Sequence, residues 1–210
     1  MTTESIDIDV SGLPTSAFDE RSPVWWGNTL FMLIETTTVV LLVVSYFYTR
    51  QAMDQWPPTQ SNAGTSSPSP YPALGLATLD LVLALASLVP AVWIDRAARR
   101  RDARSVARGL AIISAIGGLL ILLRFAEFPG LRFRWDDNAY ASTVWAALVL
   151  HLTYLIAAEL EAVTTLVWVL LYGVDEHRAV DVTLTSIYWY WMAGVWAVLY
   201  ATVYWVPRIL

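Results

Sequence analysis

The chain has 210 residues, of which 57% are hydrophobic and 15% charged, and its formal net charge is −5. A soluble domain carries about 25% charged residues, so this composition predicts an integral membrane protein. Cysteine is absent, which excludes disulfides, thiolate metal sites and cysteine nucleophiles. The two histidines, His151 and His177, are too few to build a haem or copper site on this chain alone.

The N-terminal residues 1–23 are polar and acidic. A secretory signal or a transit peptide begins with basic residues, so neither is expected here. We expect an acidic tail that is solvated and precedes the membrane domain.

Five apolar runs follow, and they predict an all-α bundle of five transmembrane helices over residues 24–210. The first run is about 25 residues long, enough to cross a hydrocarbon core of ~30 Å, and aromatic residues stand at both of its ends. Residues 49–72 are rich in Pro, Ser and Gly and predict an exposed loop. The predicted spans cover about 24–48, 73–94, 109–128, 139–172 and 182–206.

An arginine cluster predicts the orientation of the bundle. Residues 95–108 contain six arginines, and basic loops stay on the cytoplasmic side. Five spans then place the N terminus in the cytoplasm and the C terminus outside. We interpret the cluster as a contact with lipid headgroups, and no nucleic-acid partner is expected.

Glu35 lies near the middle of the first predicted span. An ionisable group at that depth costs at least ~2.5 kcal/mol unless it is partnered, neutral or facing a cavity. The helix carries no cation beside it, although Thr36, Thr37 and Thr38 can hydrogen-bond to it or to the backbone. We therefore expect Glu35 to be largely protonated. Its role is either structural, in contact with lipid, or that of a proton antenna.

Other polar side chains also fall within the predicted spans. Arg124 and Glu127 are three residues apart on one helix, close enough to pair. Asp80 lies two turns into the second span, where a helix contact and a proton role are both open. His151 is expected to be a packing residue or a lipid-phosphate ligand rather than a metal ligand. Together these residues form no recognisable catalytic or metal-binding constellation.

Six short motifs, in order, resemble subunit III of the haem–copper respiratory oxidases. They are Trp26-Gly27 with Phe31 and Glu35, Trp56-Pro57-Pro58, Thr78-x-Asp80, Glu127, Asn138-Ala139-Tyr140 with His151, and Tyr188-Trp189 with Trp196. The chain also departs from the pattern. Tyr154, Tyr190 and Ala193 stand where the family has two histidines and an aspartate, and five spans stand where longer members have seven.

The resemblance implies a non-redox accessory subunit that packs against the catalytic subunit I of a proton-translocating oxidase in a prokaryotic plasma membrane. Haem and copper are then expected in the partner, with no metal on this chain, and phospholipid is expected between the helices. Glu35 takes the place of the family's intramembrane glutamate. Trp26, Tyr188 and Trp189 are expected to make helix-packing or lipid contacts.

Three alternatives remain open at this point. A subunit-III-like accessory protein of a nitric oxide reductase fits the departures from the pattern. A small proton-coupled transporter using Glu35 and Asp80 is a second alternative, although no internal repeat is visible. An assembly or scaffold protein is the third.

Overall fold

The computed structural model describes residues 23–58, 71–131 and 133–209, apart from the side chains of Glu176 and His177. Within these ranges the chain is helical, and five helices are long and apolar enough to cross a membrane. The predicted five-helix bundle is therefore confirmed. The acidic tail, residues 59–70 of the predicted loop and the side chain of His177 lie outside the described residues.

Four of the five spans are longer than the apolar runs that predict them, and the fourth coincides with its run. The first span is α1 (Pro23–Gln51) and the second consists of α2 (Leu74–Ala86) and α3 (Leu88–Arg99). The third is α4 (Ala103–Glu127), continued by a 3-10 turn (Phe128–Leu131), and the fourth is α5 (Ala139–Tyr172). The fifth consists of α6 (Glu176–Tyr200), a π turn (Ala201–Trp205) and α7 (Val206–Ile209).

Two prolines explain the breaks inside the second and fifth spans. Pro90 has no N–H to offer the carbonyl four residues earlier, and the helix is interrupted at Ser87. The Ser87 hydroxyl donates to the carbonyl of Ala84 at 2.6 Å. Pro207 also lacks an N–H, and it lies just after the π turn. Such a turn is a local widening of the helix at which the regular hydrogen-bond pattern changes.

The arginine cluster is more helical than predicted. Residues 95–108 were expected to form a loop, yet α3 ends at Arg99 and α4 begins at Ala103. Arginine is a good helix former, and its long side chain reaches water from a helical backbone. Asp102 caps α4 by accepting from the backbone N–H of Ser105 at 3.2 Å and from its hydroxyl at 2.6 Å. These hydrogen bonds lower the pKa of Asp102.

The fifth span is the most buried of the five, and the first is the least buried. α6 packs on α1, α2, α3 and α5, while α4 packs on α2, α3 and α5. Trp189 and Trp196 of α6 are both fully buried. The bundle is thus built around one central, tryptophan-rich helix.

Gly117 allows α4 to approach α5 and α6 closely. A Cβ at this position would overlap the carboxylate of Glu159 and lie 2.9 Å from the ring of Trp189. That ring cannot easily shift, because its Nε1 donates to the Ser87 hydroxyl at 2.8 Å. At the neighbouring Gly118, an added methyl group would meet no other atom within 4 Å.

We predict that Gly117→Ala destabilises the bundle by about 1–3 kcal/mol, as overpacking of a close contact does. Thermal unfolding in detergent, followed by circular dichroism, measures the effect. Gly118→Ala is the matched control, and it should retain or raise the unfolding temperature because alanine favours helix more than glycine does. Equal behaviour of the two variants would contradict the close approach at Gly117.

Candidate functional site

One arginine contacts residues of three other spans inside the bundle. Arg124, near the end of α4, is completely buried. Its Nη2 lies 2.7 Å from Oδ2 of Asp80 on α2, and its Nη1 lies 2.6 Å from Oε2 of Glu127 on the next turn of α4. Both carboxylates are almost fully buried. Arg124 and Glu127 thus lie at ion-pair distance in the structure, and Asp80 joins them from another helix.

Two rings complete the surroundings of this guanidinium. The Cζ of Arg124 lies 3.7 Å from the centre of the Trp196 ring, in cation–π geometry. His151 of α5 stacks on the same tryptophan, and its Nδ1 lies 3.4 Å from Nη2 of Arg124. We call Asp80, Arg124, Glu127, His151 and Trp196 the Arg124 site. Since His151 is buried within it, the packing role expected for this histidine fits better than a lipid-phosphate contact.

Glu35 occupies a second polar site, formed by α1, α5 and α6. The residue is 8% exposed, and its Oε1 accepts a hydrogen bond from the Tyr188 hydroxyl at 3.2 Å. The Tyr154 hydroxyl donates to the backbone carbonyl of Glu35 at 3.4 Å. The other carboxyl oxygen of Glu35, Oε2, is buried and has no hydrogen-bond partner among the described residues. Tyrosine hydroxyls, rather than a cation, therefore accompany this carboxyl group.

The hydroxyls of the three threonines that follow Glu35 hydrogen-bond to the backbone rather than to the Glu35 carboxyl group. The hydroxyls of Thr36, Thr37 and Thr38 donate to backbone carbonyls one turn earlier on α1. Such back-bonding satisfies a hydroxyl locally in a helix. Thr36 also accepts from Nε1 of Trp191 at 2.8 Å, which fixes α1 against α6.

A family model described as cytochrome c oxidase subunit III matches residues 9–207 of the chain. The chain belongs to the cytochrome c oxidase subunit III family.

Curated relatives bear out this membership at low identity. The chain is 27% identical over 150 residues to cytochrome c oxidase subunit 3 of Ornithorhynchus anatinus, covering 71% of this chain and 55% of the relative. It is 24% identical to the protein of that name from Tachyglossus aculeatus aculeatus, covering 86% of this chain and 68% of the relative. For Petromyzon marinus the identity is 25%, with coverages of 88% and 71%. The chain thus spans about half to seven-tenths of the length of these subunit III relatives.

The other residues predicted from the family pattern divide into packed and outward-facing ones. Tyr188 and Trp189 are buried in the bundle, so their packing role fits the structure. Trp26 is 51% exposed and stands edge-on to Trp25, with ring centres 5.3 Å apart. It faces the surroundings of the bundle, as a lipid or partner contact does.

Sequence reasoning missed two features of these sites. The Asp80–Arg124 pair joins positions 44 residues apart, and nothing in the sequence indicated it. Tyr154 stands where the family has a histidine, and the structure shows that its hydroxyl lies against Glu35. Its position one turn from His151 on the same helix face could have indicated a second inward-facing polar group.

We predict that Arg124→Met destabilises the bundle by about 3–5 kcal/mol, because removing one partner leaves buried carboxylates without a counter-charge. Arg99→Met is the control, since the Arg99–Asp95 pair is exposed and such pairs contribute about 0–1 kcal/mol. Thermal unfolding in detergent compares the two. Adding Asp80→Asn and Glu127→Gln to Arg124→Met should restore part of the loss, and no restoration would argue against an electrostatic cause.

Proposed function

We propose that this chain is a non-redox accessory subunit of a haem–copper terminal oxidase in a prokaryotic plasma membrane. In this role it packs against the catalytic subunit, holds phospholipid and supports proton uptake and the stability of the complex. The single observation that carries the proposal is the family match over residues 9–207.

In this proposal the chain has an accessory role. In the described part of the chain, no three His, Asp or Glu side chains are positioned to hold one metal ion. The acidic groups around Arg124 are turned toward its guanidinium instead. Any haem and copper of the complex belong, in this proposal, to the partner subunit.

The outer surface of the bundle suits a partner or lipid. Large apolar side chains of α1 point outward, among them Leu33, Ile34 and Leu41, each at least 60% exposed. In water such a face would be unfavourable, whereas hydrocarbon or another membrane subunit covers it at little cost. Glu35 lies on the opposite, inward face of the same helix.

Purification in mild detergent through a tag placed after Leu210 tests the proposal. An optical spectrum and mass spectrometry of the co-purifying proteins should show haem absorbance and a many-helix, histidine-rich partner. A colourless protein that runs alone would contradict the proposal and favour the transporter alternative.

A nitric oxide reductase is the second candidate partner, because Tyr154, Tyr190 and Ala193 depart from the oxidase pattern. Turnover of the purified complex with oxygen and with nitric oxide separates the two candidates. Oxygen consumption supports the oxidase proposal. Reduction of nitric oxide without oxygen consumption would show instead that the chain belongs to a nitric oxide reductase.

We predict that Glu35→Gln leaves assembly of the complex intact. Glutamine keeps an acceptor for the Tyr188 hydroxyl and matches the shape of a protonated glutamate. The yield of the co-purified complex, compared with that of the unmodified chain, measures assembly. Loss of the whole complex would show instead that an ionised Glu35 is structurally required.

A further inference from the structure

Three helices around Glu35 repeat the same spacing between polar residues. Each carries one residue at the Glu35 site and another seven positions away. Seven residues are about two helical turns, or about 10.5 Å, so the two members of each pair share one face of their helix. The pairs are Asn28 and Glu35 on α1, Tyr154 and Glu161 on α5, and Asp181 and Tyr188 on α6.

The more distant members of these pairs meet in a cavity. Asn28, Glu161 and Asp181 all line a space of about 500 Å³ between the starts of α1 and α6 and the last turns of α5. The hydroxyls of Thr164, Thr165 and Thr185 line it as well. A cavity this large with several polar partners admits water.

The cavity lies at the arginine-rich end of the bundle. Trp25, beside the cavity-lining Val24, shares a neighbouring recess with Arg99 and Arg101. The distribution of arginines predicts that this end faces the cytoplasm. On this prediction, the cavity lies on the cytoplasmic side of the bundle.

Polar side chains lie between the cavity and Glu35. The hydroxyls of Thr165 and Thr185 lie 3.2 Å apart across α5 and α6. Tyr188 is one turn beyond Thr185 on α6, and its hydroxyl donates to Oε1 of Glu35 at 3.2 Å. The second oxygen of Glu35 is buried and has no partner among the described residues, so this carboxyl group has an oxygen available for a further proton or water.

We propose that Glu161, Asp181 and Tyr188 form a path for protons between the cavity and Glu35. The inference rests on the proposed function, in which Glu35 serves proton uptake. Inward, a hydronium in the cavity protonates Glu161 or Asp181, and that proton passes through water to the phenol oxygen of Tyr188. The hydroxyl proton of Tyr188 moves to Glu35 in the same event. The cavity carboxyl group and the Tyr188 phenol oxygen each gain one proton and lose one. The reverse sequence removes the proton from Glu35 and returns it to the cavity.

The charged and titratable groups facing this path come from all three helices. Tyr154 of α5 and Tyr188 of α6 face Glu35 of α1. Arg178 stands at the cavity, where its Nη1 lies 2.9 Å from Oδ2 of Asp175 and it stacks on the Tyr172 ring. The cavity lining thus contains the two carboxylates of Glu161 and Asp181 and the guanidinium of Arg178.

Infrared spectroscopy of the full chain in detergent tests the path. The carboxylic acid band of Glu35 is identified as the band that Glu35→Gln removes, and its shift after transfer to D₂O reports proton exchange. We expect the double variant Glu161→Gln, Asp181→Asn to slow this exchange at least about tenfold, because a positioned acid–base group contributes roughly 10²–10⁴-fold to proton transfer. Tyr188→Phe should slow it as well.

Glu159→Gln is the matched control. Glu159 is on the same helix as Glu161 but faces Gly117 of α4, and its loss should leave the exchange rate of Glu35 unchanged. Equal rates in the double variant and the unmodified chain would overturn the path. So would the absence of a Glu35 carboxylic acid band at every pH tested.

The result is independent of the partner. A chain that purifies without an oxidase but still shows slowed exchange in the double variant would support the path and overturn the proposed function. A haem-containing complex in which the double variant exchanges the Glu35 proton at the unmodified rate would support the proposed function and overturn the path.

Discussion

The burial of Arg124 is the constraint on which the bundle depends. A guanidinium in a membrane interior is costly unless other groups pair with it. Asp80 and Glu127 supply the charge, and Trp196 supplies an aromatic face. Because Asp80 comes from α2 and Trp196 from α6, the positions of three helices are fixed relative to one another by one side chain.

The Arg124 and Glu35 sites share two helices yet differ in kind. His151 and Tyr154 are one turn apart on α5, and Trp196 and Tyr188 both belong to α6. In the Arg124 site, the carboxylates of Asp80 and Glu127 lie at ion-pair distance from the guanidinium of Arg124. The Asp80–Arg124 pair holds α2 and α4 together. In the second site, the carboxyl group of Glu35 accepts from the Tyr188 hydroxyl, and the Tyr154 hydroxyl donates to the backbone carbonyl of Glu35. A group without a counter-ion can gain and lose a proton at less structural cost than one whose charge holds an ion pair.

Hydropathy and the distribution of aromatic residues were enough to predict the five helices, since a spanning helix must satisfy its backbone internally and present about 20 apolar residues. Glu35 stood out because an ionisable group in the middle of a span is costly. Helix ends were less predictable, because α3 and α4 continue through arginines that hydropathy assigns to a loop. The Asp80–Arg124 pair was unpredictable for a different reason: it depends on the rotation of two helices that a single sequence does not specify.

Tyr154 lies beside Glu35 at a position where the family pattern has a histidine, and the structure shows how the site accommodates this tyrosine. Tyr154 offers a hydroxyl where the family has an imidazole, and Trp191 donates to Thr36 beside it. Tyrosine and tryptophan each combine a large apolar body with one polar tip, which suits a membrane interior better than a fully polar side chain. The site therefore keeps hydrogen-bond donors beside Glu35, one to its carboxyl group and one to its backbone carbonyl. In the proposed proton path, Glu35 and the cavity-lining Glu161 and Asp181 are then the groups that gain and lose protons.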